Sequence, residues 1–148
     1  MVKKFLHPQE IAVWYILPAL RKELTLELKS LGLDQKTISK TIGVTEAAIS
    51  QYIKQKRANE FDFDEVTRQE IKKSAGLISQ NGKLLFQEMQ KLLNTALQNK
   101  VTCKVCHAHN ELPKECEICF EGKNETNLHG QCSSNSAGQC SQARDAVI

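Results

Sequence analysis

Four of the six cysteines in this chain, Cys103, Cys106, Cys116 and Cys119, fall in the pattern C-x2-C-x9-C-x2-C. Two intervening residues let both sulfurs of a pair reach one ion, and two such pairs complete a tetrahedral thiolate set. Pro113 between the pairs and Gly122 after the second suit the tight bends of a metal knuckle. A closed four-thiolate shell has no open coordination position, so zinc held there would be structural, contributing on the order of 10 kcal/mol to folding. The same thiolates suit an iron–sulfur cluster, which would make the module a redox or oxygen sensor. The spacing leaves both open, and four uncoordinated thiols besides. Cys103-Lys104-Val105-Cys106-His107 also satisfies the haem c attachment pattern, but the second cysteine pair and the lack of an export signal argue against it. His107, His109 and His129 are alternative ligands, while Cys132 and Cys140 fall outside the pairs.

A second constellation lies in residues 35–52, QKTISKTIGVTEAAISQY, which read as two short helices joined by a tight turn. Ile38 and Ile42 share a face of the first helix, and Gly43 supplies the positive φ a sharp connection needs. Val44 plugs the corner, Thr45 caps the second helix, and Ile49, Tyr52 and Ile53 return at helical spacing to meet the first. Small residues, Ser39, Ala47 and Ala48, occupy the crowded positions. What faces outward on the second helix is small or polar: Glu46, Ala47, Ser50, Gln51 and Lys54. Such a face suits the major groove, with Lys54, Lys56 and Arg57 following where phosphates would pass. The pattern therefore predicts that Thr45, Glu46, Ala47, Ser50 and Gln51 line the groove side, while Gln35, Lys36, Lys54 and Arg57 meet the backbone of double-stranded DNA.

The segment TEAAISQYIKQKR resembles the recognition-helix region of the Cro/CI (lambda-repressor-like) class of helix-turn-helix regulators. The wider pattern resembles a group of short archaeal predicted transcriptional regulators. In that group a stretch like EIAVWYILPALRKELTLEL precedes the helix-turn-helix and a cysteine cluster closes the fold. The likeness covers about residues 7–120 and is most specific over 35–57. It implies sequence-specific DNA binding and a regulator's role, without naming an operator, an effector or the sign of regulation.

The elements that must position these residues read as helices throughout. Residues 8–31 keep a three-to-four-residue apolar rhythm from Ile11 through Leu17, Leu20, Leu24, Leu28 and Leu31. Pro18 either kinks this helix or begins a second one, Gly32 ends it, and Asp34 caps the next. Trp14 and Tyr15 are adjacent and cannot share one core, so one of them packs on later helices, packs at a dimer surface or stays part-exposed. Phe61 and Phe63 anchor a linker; Asp64 caps a helix reaching about Ser79; Asn81-Gly82 turns; and a last long helix runs from about Lys83 to Asn99. The expected fold is all-α: a lambda-repressor-like helix-turn-helix domain in residues 1–60 and two further helices in 61–100 that serve as extension and dimerisation surface. A metal knuckle in 101–121 and a disordered tail in 122–148, nearly without apolar residues, complete it.

Charge follows the same division. Residues 1–60 hold ten Lys/Arg against six Asp/Glu, residues 61–100 six against five, and residues 101–148 four against six. The basic excess thus sits with the helix-turn-helix, as attraction to phosphate requires. No βαβ pattern, glycine-rich phosphate loop, paired carboxylates or nucleophile elbow points to an enzyme. No run approaches the ~20 apolar residues of a membrane span. A cytoplasmic, homodimeric DNA-binding protein is the expectation; a zinc-stapled protein-interaction module without specific DNA binding is the alternative.

Overall fold

The computed structural model describes residues 5–55, 58 and 62–120. The described residues are helical, with turns between and no strand. The chain divides into two units, Met1–Cys116 and Glu117–Ile148. The first holds every helix among the described residues; of the second, only residues 117–120 are described, as a turn in which the Phe120 amide donates to the Glu117 carbonyl at 2.7 Å.

The first helical run is interrupted for a reason visible in its sequence. Helix α1 (Pro8–Ile11) opens where the His7 amide donates to the Glu10 carboxylate at 2.8 Å. A π turn over Ala12–Ile16 follows, and then α2 (Leu17–Ser30), which carries Pro18 in its first turn. Proline has no amide to donate four residues back. The turn before it widens, and the Leu17 amide reaches the Ala12 carbonyl five residues earlier. Of the two readings of Pro18, the second describes it: a new α-helical segment begins there. Val13 and Trp14 are left exposed, while Tyr15 is half-buried and stacks on His109 with ring centroids 4.8 Å apart. The helix stops at Ser30, one residue short of the expected end. Leu31 becomes the capping position and is exposed, as Gly32 takes a left-handed φ of 92°.

Helix α2 is the hub. Leu20, Leu24 and Leu28 recur every four residues and are fully buried. Against α2 pack α3 (Gln35–Ile42), α4 (Glu46–Ile53), α5 (Glu65–Gln80) and α6 (Leu85–Gln98). Helices α5 and α6 pair through a short 3-10 turn, Gly82–Leu84. The two helices bury Ile71, Ala75, Ile78, Leu92 and Ala96, and across their seam Ser74 Oγ donates to Glu88 Oε2 at 2.7 Å. Glu88 thereby has the hydrogen-bond partner that a buried carboxylate requires. At the other end of the seam Asn99 Nδ2 donates to Thr67 Oγ1 at 3.1 Å. Asp64 stands at the N-cap position of α5 and takes the Thr67 hydroxyl at 2.6 Å, which holds its carboxyl below the ordinary value.

The helix over about 83–99 is not the last. Lys100 adopts a left-handed φ of 56°, and α7 (Val101–His109) follows directly. Residues expected to form a knuckle loop are helical here, because Val101, Val105 and Cys106 align on one face and are buried against α1, the π turn and α6. Asn110 ends α7 and closes the fold on itself. Its Oδ1 accepts from the Leu6 amide at 3.0 Å, and its Nδ2 donates to the Leu6 carbonyl at 2.9 Å. One side chain thus satisfies both backbone groups of a buried residue 104 positions earlier. Phe61 and the residues expected to form the tail lie outside the described residues; Phe63 is buried, as expected of an anchor.

Candidate nucleic-acid interface

Local signals set both ends of the α3–α4 pair. At the start, Asp34 takes the Thr37 amide at 3.3 Å and also the Thr37 hydroxyl. These two bonds, the hydroxyl first, hold its carboxyl below its ordinary value. At the corner Gly43 has φ 73°, a left-handed conformation that strains any residue bearing a β-carbon. Ser39 clamps that corner from both sides. Its carbonyl accepts from the Gly43 and Val44 amides at 2.9 and 3.2 Å, while its hydroxyl donates to the Val44 carbonyl at 2.6 Å. Thr45 Oγ1 then accepts from the Ala48 amide at 3.2 Å and starts α4.

The large apolar residues of the pair turn inward. Ile38, Ile42, Ile49 and Tyr52 are buried, and Val44, Ala48 and Ile53 pack partly covered against them. This leaves a continuous outward face. Thr45, Glu46, Ala47, Gln51 and Lys54 are exposed and Ser50 is half-buried; Gln35 and Lys36 are exposed at the start of α3. Eight of the nine residues assigned to DNA are therefore on the surface of one helix pair; the ninth, Arg57, lies outside the described residues. Nothing larger than glutamine or lysine stands on the α4 face, so its backbone can approach a groove floor closely. Glu46 sits in the first turn of α4, where the helix dipole favours its charge; against DNA it would accept from a base amino group and repel phosphate.

Two basic residues join this region without a sequence signal. Lys40 is exposed in the last turn of α3. The Gly82 turn lies against α3, where a β-carbon on Gly82 would meet Thr41 Cγ2 at 3.5 Å, and it brings exposed Lys83 to that edge. Only the packing of α5 and α6 reveals this, since Thr41 and Lys83 belong to separate segments of the sequence.

The cysteines are arranged differently from the knuckle expectation. Cys103 and Cys106 are one helical turn apart on α7, and Cys106 is buried, its Sγ accepting from Asn110 Nδ2 at 3.4 Å. Cys116 follows in a turn where its amide donates to the Pro113 carbonyl at 3.1 Å, and Cys119 belongs to the second unit. Among the described residues, no three His, Cys, Asp or Glu side chains converge as a metal would require. Helical i, i+3 spacing permits two sulfurs on one side of a helix, but Cys106 is engaged in the core and does not present its sulfur. Also among the described residues, no helix is long and apolar enough to cross a membrane. No family model matches the chain, and no curated protein and no solved structure matches it.

Proposed function

We propose that this chain is a sequence-specific regulator of transcription that binds double-stranded DNA through α3 and α4 as a helix-turn-helix of the Cro/CI kind, acting as a homodimer. The observation that carries the reading is the outward face of α4. It runs from Thr45 to Lys54 without a large apolar side chain, on a helix whose opposite face is locked by Ile49 and Tyr52. A helix so firmly seated and so bare outward is built to be read from outside. Gln51 offers the two-pronged amide that recognises adenine in the major groove, and Ser50 and Ala47 permit close approach beside it. Lys36, Lys40, Lys54 and Lys83 supply charge for phosphate in the same region of the fold, as does the basic balance of residues 1–60.

The test is duplex binding measured across salt concentration after selection of a preferred site. Gln51→Ala should cost ~1–3 kcal/mol on that site and relax its specificity. Lys54→Ala should instead weaken all sequences alike and lower the salt slope by about one. A chain with no affinity for any duplex at low salt would leave the reading without support.

A bound ion at Cys103, Cys106, Cys116 and Cys119 belongs to the same proposal and rests on their spacing alone. Zinc would staple the end of the fold, and an iron–sulfur cluster would add redox sensing. Either requires the buried Cys106 Sγ to meet the other three sulfurs at one ion. Elemental analysis after anaerobic purification should find one zinc per chain in a colourless protein, or iron and sulfide in a brown one. Metal-free protein with four reactive thiols and normal DNA binding would remove the ion from the proposal.

A further inference from the structure

Helix α5 carries a pattern that its own fold uses only in part. Its buried stripe is Thr67, Ile71, Ser74, Ala75 and Ile78. Beside that stripe lie Val66, Glu70, Lys73 and Leu77, which at ~100° per residue fall within an arc of about 60°. Val66 is 60% and Leu77 43% exposed, so two large aliphatic side chains stand in water on one helix face. Between them Glu70 and Lys73 form an ion pair at 2.7 Å, with Lys91 of α6 at 3.2 Å from the same carboxylate.

These four residues are symmetric about one point near the middle of the helix, the Ile71–Lys72 bond. Val66 precedes the Ile71–Lys72 bond by as many residues as Leu77 follows it, and Glu70 and Lys73 stand equally far to either side. A second copy of α5 laid antiparallel across a twofold axis at that bond would set Val66 on the partner's Leu77 and Glu70 on the partner's Lys73, each pair occurring twice. This is the self-complementarity that an isologous interface demands. Helix dipoles oppose in the same arrangement, which also favours it.

We propose that the Val66–Glu70–Lys73–Leu77 face of α5 is the contact between two copies of this chain, in the antiparallel register just described. The proposal deepens the homodimer part of the functional reading by naming its surface, and its test uses no DNA. The surface lies within residues 61–100, the segment expected to extend the fold and dimerise. Flanking aliphatic contacts provide the apolar burial, and the two central ion pairs fix register and exclude a parallel arrangement.

Sedimentation of the full-length chain provides the test. The wild type should self-associate to a dimer below about 100 μM, the range of a modest isologous contact. Glu70→Lys places lysine against lysine at both central contacts, and Lys73→Glu places glutamate against glutamate. Each single variant should be at least tenfold weaker in self-association while keeping its helical circular dichroism, because exposed ion pairs contribute little to folding. Mixing the two variants should restore the dimer. One copy then carries lysine at both central positions and the other glutamate at both, so each contact across the axis again pairs opposite charges. A monomeric wild type overturns the proposal, even if the chain binds DNA. A dimeric wild type whose single variants still dimerise, or whose mixture stays monomeric, overturns this face and register.

Discussion

Ile49→Ala is expected to cost about 2–5 kcal/mol of folding stability. Ile49 is fully buried at the meeting of α4 with α2 and α3, and removing three of its carbons leaves a cavity that two short helices cannot close. Each of those helices has eight residues, too few to persist without tertiary packing, so the loss falls on the helix pair as a whole. Against a total stability of ~5–15 kcal/mol the loss is a large share of what holds the fold together. Chemical denaturation monitored by far-ultraviolet circular dichroism reads the change directly. Gln51→Ala, two residues along and exposed, should stay within ~0.5 kcal/mol of the wild type in the same measurement. The two variants thus separate what holds α4 in place from what α4 would present to a ligand. An Ile49→Ala protein as stable as the wild type would mean that α4 is not seated as described.

The second large effect is expected at Asn110. Its side chain satisfies the Leu6 amide and carbonyl and donates to Cys106 Sγ, all in a buried setting. Asn110→Ala strands both backbone groups at ~1–3 kcal/mol each, or about 2–6 kcal/mol in sum if the segment stays docked. Undocking would instead release Leu6 to solvent and forfeit its burial. Hydrogen exchange distinguishes the two, since undocking accelerates the Leu6 amide far more than the amides of α2. Asn110→Asp keeps the acceptor for the Leu6 amide but loses the donor to its carbonyl. It should therefore be destabilised too, with part of the protection at Leu6 retained. Wild-type exchange at Leu6 in Asn110→Ala would contradict the bond pattern.

Both residues bear on how far the fold is legible in the sequence. The α3–α4 pair is legible because its determinants are local: Asp34 and Thr45 cap within three residues, Gly43 turns within one, and the isoleucines repeat at helical spacing. Ser39 reads only as a small residue, because its role as the clamp on Val44 depends on a turn geometry that composition does not encode. Pro18 announces an interruption, while the choice of a π turn comes from keeping Ile11 and Ile16 both buried across it. Helix α7 is hidden for the opposite reason. Its cysteine spacing suggests a loop, and the partners that make it a helix, around Leu6 and on α6, are distant in sequence or lack a motif. Leu31 fits the apolar rhythm yet is exposed, because the helix ends beneath it at Gly32. Of the proposed DNA face, the α4 residues follow from periodicity, whereas Lys83 joins it only through the packing of another hairpin.

The bond between Leu6 and Asn110 also fixes an order of events during synthesis. Chains emerge N-terminus first at ~5–20 residues per second, so on the order of 5–20 s separates the appearance of the two residues. Throughout that interval α1 and the π turn lack α7, one of their packing partners, whereas α2, α3 and α4 have one another well before it ends. The nascent chain can therefore assemble α2, α3 and α4 while α1 and the π turn are still loose. Closure comes late and joins two distant points of the chain, the kind of contact whose loop-closure entropy delays it. A ribosome stalled before residue 110 would hold a folded helix pair with an unfastened start, a species that limited proteolysis would nick first ahead of α2.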